Sequence, residues 1–192
     1  MYQFMKSTLN NVLPYQESKV IRTMLLVGGF ALLTALGALI RIPLPFTPVP
    51  ITLQTFFVLL AGATLGIKRG TLSQMIYVLA GAAGIPIFAG MSSGIALLAG
   101  PTGGFLAGFL VAPAVVGYLI GDSSSRSRLM GALLAGTTLI FLFGNLWLWK
   151  VTGGTLMNTL SLGFLPFIPG AIIKIGLVIA IIEAFKYKRK DR

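Results

Sequence analysis

The chain has no cysteine and no histidine, and only four acidic residues among 192. Without cysteine, no disulfide or thiolate metal site forms; without histidine, the commonest metal ligand and the commonest general base are both missing. The acids, Glu17, Asp122, Glu183 and Asp191, stand near the ends of apolar runs or outside them, too scattered to make a carboxylate pair. Hydrolytic, redox and metal-dependent enzymes are therefore poor matches, and no cofactor is expected. Charge is scarce altogether, at 10% of residues against about 25% in an average soluble domain. Apolar residues fill the space, at 56%, together with 24 glycines. These proportions belong in a bilayer and predict an all-α integral membrane protein. A net charge of +11 would by itself suggest nucleic acid. The basic residues, however, sit between apolar runs and in the tail, where a membrane protein keeps its anchors, so lipid and not nucleic acid is the expected neighbour. The first twenty residues lack the apolar core of a signal peptide, and no cleavable leader is expected.

A membrane span takes about 20 apolar residues. Six are expected, over Thr23–Ile40, Ile51–Ile67, Gly70–Phe88, Leu97–Ile120, Leu129–Trp149 and Phe164–Phe185, making a compact six-helix bundle. The second and third are separated only by Lys68-Arg69 and should form a tight helical hairpin. If the N-terminus is cytoplasmic, twelve of the fifteen basic residues fall inside, Arg41 and Lys150 fall outside, and Lys174 lies within a span. That asymmetry is what the positive-inside rule expects, with both termini cytoplasmic. The chain then reads as one transmembrane domain over 1–192, with a cytoplasmic N-terminal segment over 1–22 and a basic cytoplasmic tail over 186–192.

Small residues recur at helical spacing in Gly62-x-x-x-Gly66-x-x-x-Gly70, Gly104-x-x-x-Gly108, Gly117-x-x-x-Gly121 and Ala132-x-x-x-Gly136, which lets backbones approach closely. Ala31-x-x-x-Ala35 in the first span either packs inside the bundle or docks a separate subunit.

Three features point to a binding cavity. Arg41-Ile-Pro-Leu-Pro-Phe-Thr-Pro-Val-Pro50 puts four prolines within eight residues, and Thr47, Thr52, Gln54 and Thr55 carry polar groups into the next span. Prolines at that density forbid a helix. Non-helical backbone at membrane depth is tolerated where it is buried in protein or lines a cavity, so the loop is either a cavity wall or a stiff connector. Lys174 is the only ionisable residue well inside a span. A lysine at a helix centre costs about 2.5–3.5 kcal/mol on an insertion scale. Glu183, nine residues on, is about 13.5 Å away along a helix. Lys174 thus meets a ligand anion or polar ligand oxygen, or else snorkels to water. Pro169 should open the regular helix just before it, so that a helix N-terminus adds to its positive field. Finally, Ile85-Pro-Ile-Phe-Ala-Gly-Met-Ser-Ser-Gly94 forms either a lid over the cavity, with Phe88, Ser92 and Ser93, or an ordinary external loop. Gly103 and Gly104 mark a close approach of backbone or ligand, and Tyr77, Asn145 and Trp147 offer polar edges or act as packing and anchors.

Ile42-Pro-Leu-Pro-Phe-Thr-Pro-Val-Pro-Ile-Thr-Leu-Gln-Thr55 and Val58-Leu-Leu-Ala-Gly62 resemble the BioY family, the biotin-specific substrate-capture (S) components of energy-coupling-factor transporters. Gly84-Ile-Pro-Ile-Phe-Ala-Gly90, Gly100-Pro-Thr-Gly-Gly-Phe105 and Leu165-Pro-Phe-Ile-Pro-Gly170 up to Lys174 fit the same pattern, so the resemblance runs from about residue 30 to 180. It implies a membrane protein of a prokaryotic cytoplasmic membrane that captures biotin from outside. Such a protein works with a transmembrane coupling protein (the T component) and two cytoplasmic ATPases. It also implies that Ala31 and Ala35 dock the coupling protein. One position departs from the family pattern Pro-Gly-Asp-x-x-Lys: Ala171 stands where the acid is expected, so an N–H acceptor is missing unless Gln54, Ser92, Ser93 or Asn145 replaces it. The alternatives are an S component for a different vitamin and a stand-alone small-molecule carrier.

Overall fold

The computed structural model describes residues 15–121, 123 and 125–190, with side chains described between 19 and 185. Most of the expected N-terminal segment, and the side chains of the expected basic tail, lie outside the described residues. The chain runs α1 (Tyr15–Leu39), β1 (Arg41–Ile42), β2 (Ile51–Thr52), α2 (Gln54–Ala82), α3 (Ile95–Ala99), α4 (Gly103–Ile120), α5 (Arg126–Thr152), α6 (Leu156–Gly163), a 3-10 turn (Leu165–Phe167) and α7 (Ile168–Lys190). Two-residue strands pair antiparallel, Arg41 with Thr52 and Ile42 with Ile51, and close the proline loop into a hairpin. Everything else regular among the described residues is helical. Among the described residues, four stretches are long and apolar enough to cross a membrane: Lys19–Leu39, Gly103–Ile120, Arg126–Thr152 and Leu156–Phe185. Leu25, Leu32 and Ile172, among other large apolar residues, are exposed on the outer surface, as in a bundle solvated by lipid. The molecule is an all-α membrane helical bundle.

α2 is two helices in one. At Gly66 the backbone takes φ 75°, ψ −170°, a conformation essentially confined to glycine, and the chain reverses. A Cβ on Gly70 would sit 3.0 Å from the Ala61 carbonyl oxygen, a contact that nine residues of straight helix would not allow. The hairpin therefore turns at Gly66, and Lys68 and Arg69 lie exposed just beyond it. Gly62, Gly66 and Gly70 do not form one helix face: the bend divides them between its arms. Gly62 packs on α4, where a Cβ would be 2.8 Å from Pro113 Cα, and Gly117 packs on the bend, where a Cβ would be 2.6 Å from Ile67 N.

The glycines of α4 and α5 mesh the same way. Gly104 and Gly108 lie against Trp147 and Ile140, and Gly144 lies under the Phe105 ring. α1 covers the hairpin, with Thr34 hydrogen-bonded by Gln74 Nε2 at 3.2 Å. Ala31 and Ala35, at 7% and 8% exposure, are in the core.

Two further boundaries differ from expectation. The fourth span is broken at Gly100–Thr102, because Pro101 cannot continue a helix and the Gly100 carbonyl accepts Trp147 Nε1–H at 3.0 Å instead. The connection before the last helix contains α6, capped by Thr155, whose Oγ1 accepts from Asn158 N at 3.3 Å. α7 opens at Ile168 with Pro169 in its first turn.

The bundle has two unlike ends. One gathers the hairpin bend, the end of α4, the start of α5 and the end of α7, where Arg126 Nε meets Glu183 Oε1 at 3.2 Å. The other gathers the proline loop, the 84–94 segment and the Gly100 break.

Candidate functional site

The irregular end encloses a cavity of about 650 Å³, within the range of roughly 300–1,000 Å³ usual for small-molecule sites. Its walls come from the proline loop, the 88–93 turn, the Gly100 break and the 3-10 turn, together with faces of α2, α3, α4, α5 and α7. The proline loop supplies Pro48, Val49, Pro50 and Thr52, and the first arm of the hairpin supplies Gln54, Thr55 and Leu59. Phe105, Leu106 and Phe109 come from α4, and Thr137, Ile140 and Phe141 from α5. Phe167, Ala171 and Lys174 close the side formed by the 3-10 turn and α7, and Arg41 stands at the loop's edge.

Lys174 reaches across from α7 to the loop. Its Nζ donates to the Thr52 carbonyl oxygen at 2.6 Å and to Thr55 Oγ1 at 2.9 Å. An ammonium has three donors, so one remains for the cavity that the side chain lines. The contact joins residues 122 and 119 positions apart. No acid lines the cavity among the described residues, and Ala171, one helical turn before Lys174, contributes only a methyl group to the wall. Arg41, backbone-paired with Thr52, supplies a second cation, its guanidinium lying against Gly90. The site is thus mainly apolar and aromatic, with two cations and a few hydroxyl and amide groups. It suits a compact apolar body bearing oxygen acceptors or an anionic end.

The 84–94 segment folds over this space. Phe88 N donates to the Ser92 carbonyl oxygen at 3.0 Å around a turn at Gly90 and Met91, both at positive φ. Phe88, Ala89, Ser92 and Ser93 face the cavity. The Phe88 ring is 1% exposed, stacks edge-on against Tyr77 with centroids 5.6 Å apart, and fills a niche that a Cβ on Gly81 would obstruct. Gly94 N donates to the Gly81 carbonyl oxygen at 2.8 Å and ties the segment's far end to the hairpin.

Of the residues singled out from the sequence, the structure brings Lys174, Gln54, Phe88, Ser92, Ser93 and Ala171 to the cavity wall. Thr47, Tyr77, Gly103, Gly104 and Asn145 stand behind it. Thr47 Oγ1 accepts from Val49 N at 3.3 Å and braces the loop. Tyr77 lies under Gln54 and Ile87. Gly103 makes room chiefly for the Leu98 carbonyl, and Gly104 for the Phe143 carbonyl and Trp147. Asn145 Nδ2 donates to the Phe141 and Gly163 carbonyl oxygens at 2.8 and 3.1 Å, clamping α5 to the end of α6. Sequence reasoning did not assign Arg41, Thr52, Thr55, Thr137 or the wall's other four phenylalanines, Phe105, Phe109, Phe141 and Phe167. Thr52 and Thr55 flank Gln54 in the polar run and carried a signal; Phe105 and Phe109 at i, i+4 are indistinguishable in sequence from ordinary packing.

Comparison with known proteins agrees with this architecture. The family model described as the BioY family matches residues 5–191. The chain is 44% identical over 158 residues to a probable biotin transporter BioY of Pyrococcus horikoshii, covering 82% of this chain and 92% of that protein. It is 38% identical over 171 residues to the biotin transporter BioY of Thermotoga maritima, covering 89% and 98% respectively. Among solved structures, the S-component for biotin from an ECF-type ABC transporter superposes with a TM-score of 0.81 at 28% identity, over 88% of this chain and 93% of that one. The chain belongs to the BioY family.

Proposed function

We propose that the protein is the biotin-capturing S component of an energy-coupling-factor importer. The observation that carries the proposal is the cavity: aromatic walls, Lys174 and Arg41 as cations, and no acid among the described lining residues. Biotin has an apolar chain, a ureido ring with one carbonyl oxygen and two N–H groups, and a carboxylate. Its oxygens suit the free donor of Lys174 and the guanidinium of Arg41, and its sulfur-containing ring and chain suit the phenylalanines. The names of the relatives and of the superposed structure point the same way.

The protein is a transport subunit and not an enzyme. In the proposed topology six helical segments cross the cytoplasmic membrane of a prokaryote, the two arms of α2 counting separately. The bend end, with Lys68, Arg69 and Arg126 exposed, faces the cytoplasm together with both termini. The cavity then opens outward. A T component and two ATPases would drive reorientation and release, with the small-residue stripe of Ala31 and Ala35 on α1 as the docking position for the T component.

Calorimetric titration of the purified protein with biotin, thiamine and riboflavin tests the proposal. Saturable biotin binding, with the other two inert, is the expected result. A preference for either other vitamin would reassign the cavity.

A further inference from the structure

Tyr77 does not line the cavity, yet its hydroxyl determines what the cavity offers. The side chain is 1% exposed, on the second arm of the hairpin. Its phenolic oxygen lies 3.1 Å from the Ile87 carbonyl oxygen and 2.6 Å from Gln54 Nε2. A phenol has one proton, and a carbonyl can only accept. The proton therefore goes to Ile87, since any other arrangement sets two oxygen lone pairs against each other at 3.1 Å. With its proton committed, the Tyr77 oxygen can only accept, and Gln54 must present its amide N–H to it. The amide orientation, which heavy-atom positions alone leave open, follows from this chain of three groups.

Gln54 Oε1 is then the end left over. No donor among the described residues reaches it. It is not among the sealed, unpartnered atoms either, in contrast to Gln74 Oε1 and Asn145 Oδ1, so it opens onto the cavity that Gln54 lines. The neighbouring residue, Thr55, receives Lys174 Nζ at 2.9 Å. An obligate donor, Lys174 Nζ held at Thr55, and an obligate acceptor, Gln54 Oε1, thus meet at adjacent places on the wall, while Ala171 on α7 adds only a methyl group.

We infer that Tyr77 is a positioning residue that holds Gln54 as a fixed carbonyl acceptor for a ligand N–H, supplying the acceptor that Ala171 lacks. The inference rests on the biotin proposal and deepens it: the ureido ring would meet Lys174 through its oxygen and Gln54 through an N–H. The same hydroxyl ties the acceptor to the lid, because Ile87 immediately precedes Phe88.

The test compares biotin with its two N-monomethyl ureido derivatives, titrated into the purified full chain and its variants. The wild type should prefer biotin over at least one derivative. Tyr77→Phe should weaken biotin roughly three- to tenfold, the worth of one neutral hydrogen bond. The disfavoured derivative should be almost unaffected, so the preference narrows by the same factor. Gln54→Leu should abolish the preference and Gln54→Glu should retain it, since a carboxylate presents only acceptors. Equal weakening of biotin and derivative in Tyr77→Phe would reveal general loosening and overturn the inference, as would an unchanged preference. Should Tyr77→Phe not fold, equal preferences in Gln54→Leu and Gln54→Glu would overturn it instead. A wild type that binds biotin yet shows no preference sinks the inference alone; one that binds none of the three sinks the biotin proposal beneath it.

Discussion

The two ends of this bundle are built on opposite rules. At the bend end, helices run as close together as glycine allows: Gly62 on Pro113, Gly117 on the reversal at Gly66, Gly136 against Val116 and Leu59. At the cavity end the chain keeps leaving the helix, at the proline loop, between 84 and 94, at Gly100–Thr102 and at Leu165–Phe167. Each departure frees backbone groups that must find partners. The structure meets several of these needs with long side chains: Lys174 on Thr52, Trp147 on Gly100, Asn145 on Gly163, Tyr77 on Ile87. One end is a scaffold held by close contact; the other is a container held by polar struts. The lesson is that the same side chains that repair broken helices also shape the site.

That contrast predicts which substitutions disturb folding and which disturb binding. The largest effect on stability should come from Gly62→Leu, where the clash is with backbone and cannot be relieved by a rotamer. A loss of about 3 kcal/mol, or failure to accumulate, is expected, read from thermal unfolding in detergent. The mirror change, Lys174→Met, should lower the melting temperature much less than Gly62→Leu and weaken biotin roughly 100-fold, the upper end for a hydrogen bond to a charged group. Asn145→Leu sharpens the comparison, because a strut belongs to both categories. Losing the bond to Gly163 should cost about 1–2 kcal/mol in unfolding. It should also weaken biotin about tenfold, since Phe141 and Phe167 line the cavity on either side of the clamp. The smallest effect should be Arg126→Gln at the bend end. Its ion pair with Glu183 is mostly solvent-exposed and is worth about 0–1 kcal/mol, and biotin affinity should stay within about twofold. A large binding defect there would show that the two ends are coupled even without partner subunits.

Much of the container was legible in sequence because it is made of residues that violate helix rules. Four prolines in eight residues, a lysine inside an apolar run and a charge-free Gly/Ser segment are anomalies, and all three converge on the cavity. The scaffold was legible as a pattern but not in its partners. Gly62, Gly66 and Gly70 read as one face because their spacing is helical, and nothing local distinguishes a packing glycine from the one that reverses the chain. Gly103 and Gly104 look like cavity residues for the same reason, yet they accommodate the Leu98 and Phe143 carbonyls and Trp147. The aromatic wall was hidden because a phenylalanine facing a cavity and one facing a neighbouring helix follow the same periodicity. Tyr77 and Asn145 attracted notice as polar edges, but their bonds join residues from 10 to 23 positions apart and depend on the tertiary fold.

The most direct test of the account is a parallel biotin titration of the wild type, Lys174→Met and Arg126→Gln, each matched for melting temperature. The account predicts saturable binding in the wild type and in Arg126→Gln, with Lys174→Met weaker by roughly two orders of magnitude. Equal affinities in all three proteins would contradict it, because the ligand would then not sit where Lys174 meets the proline loop.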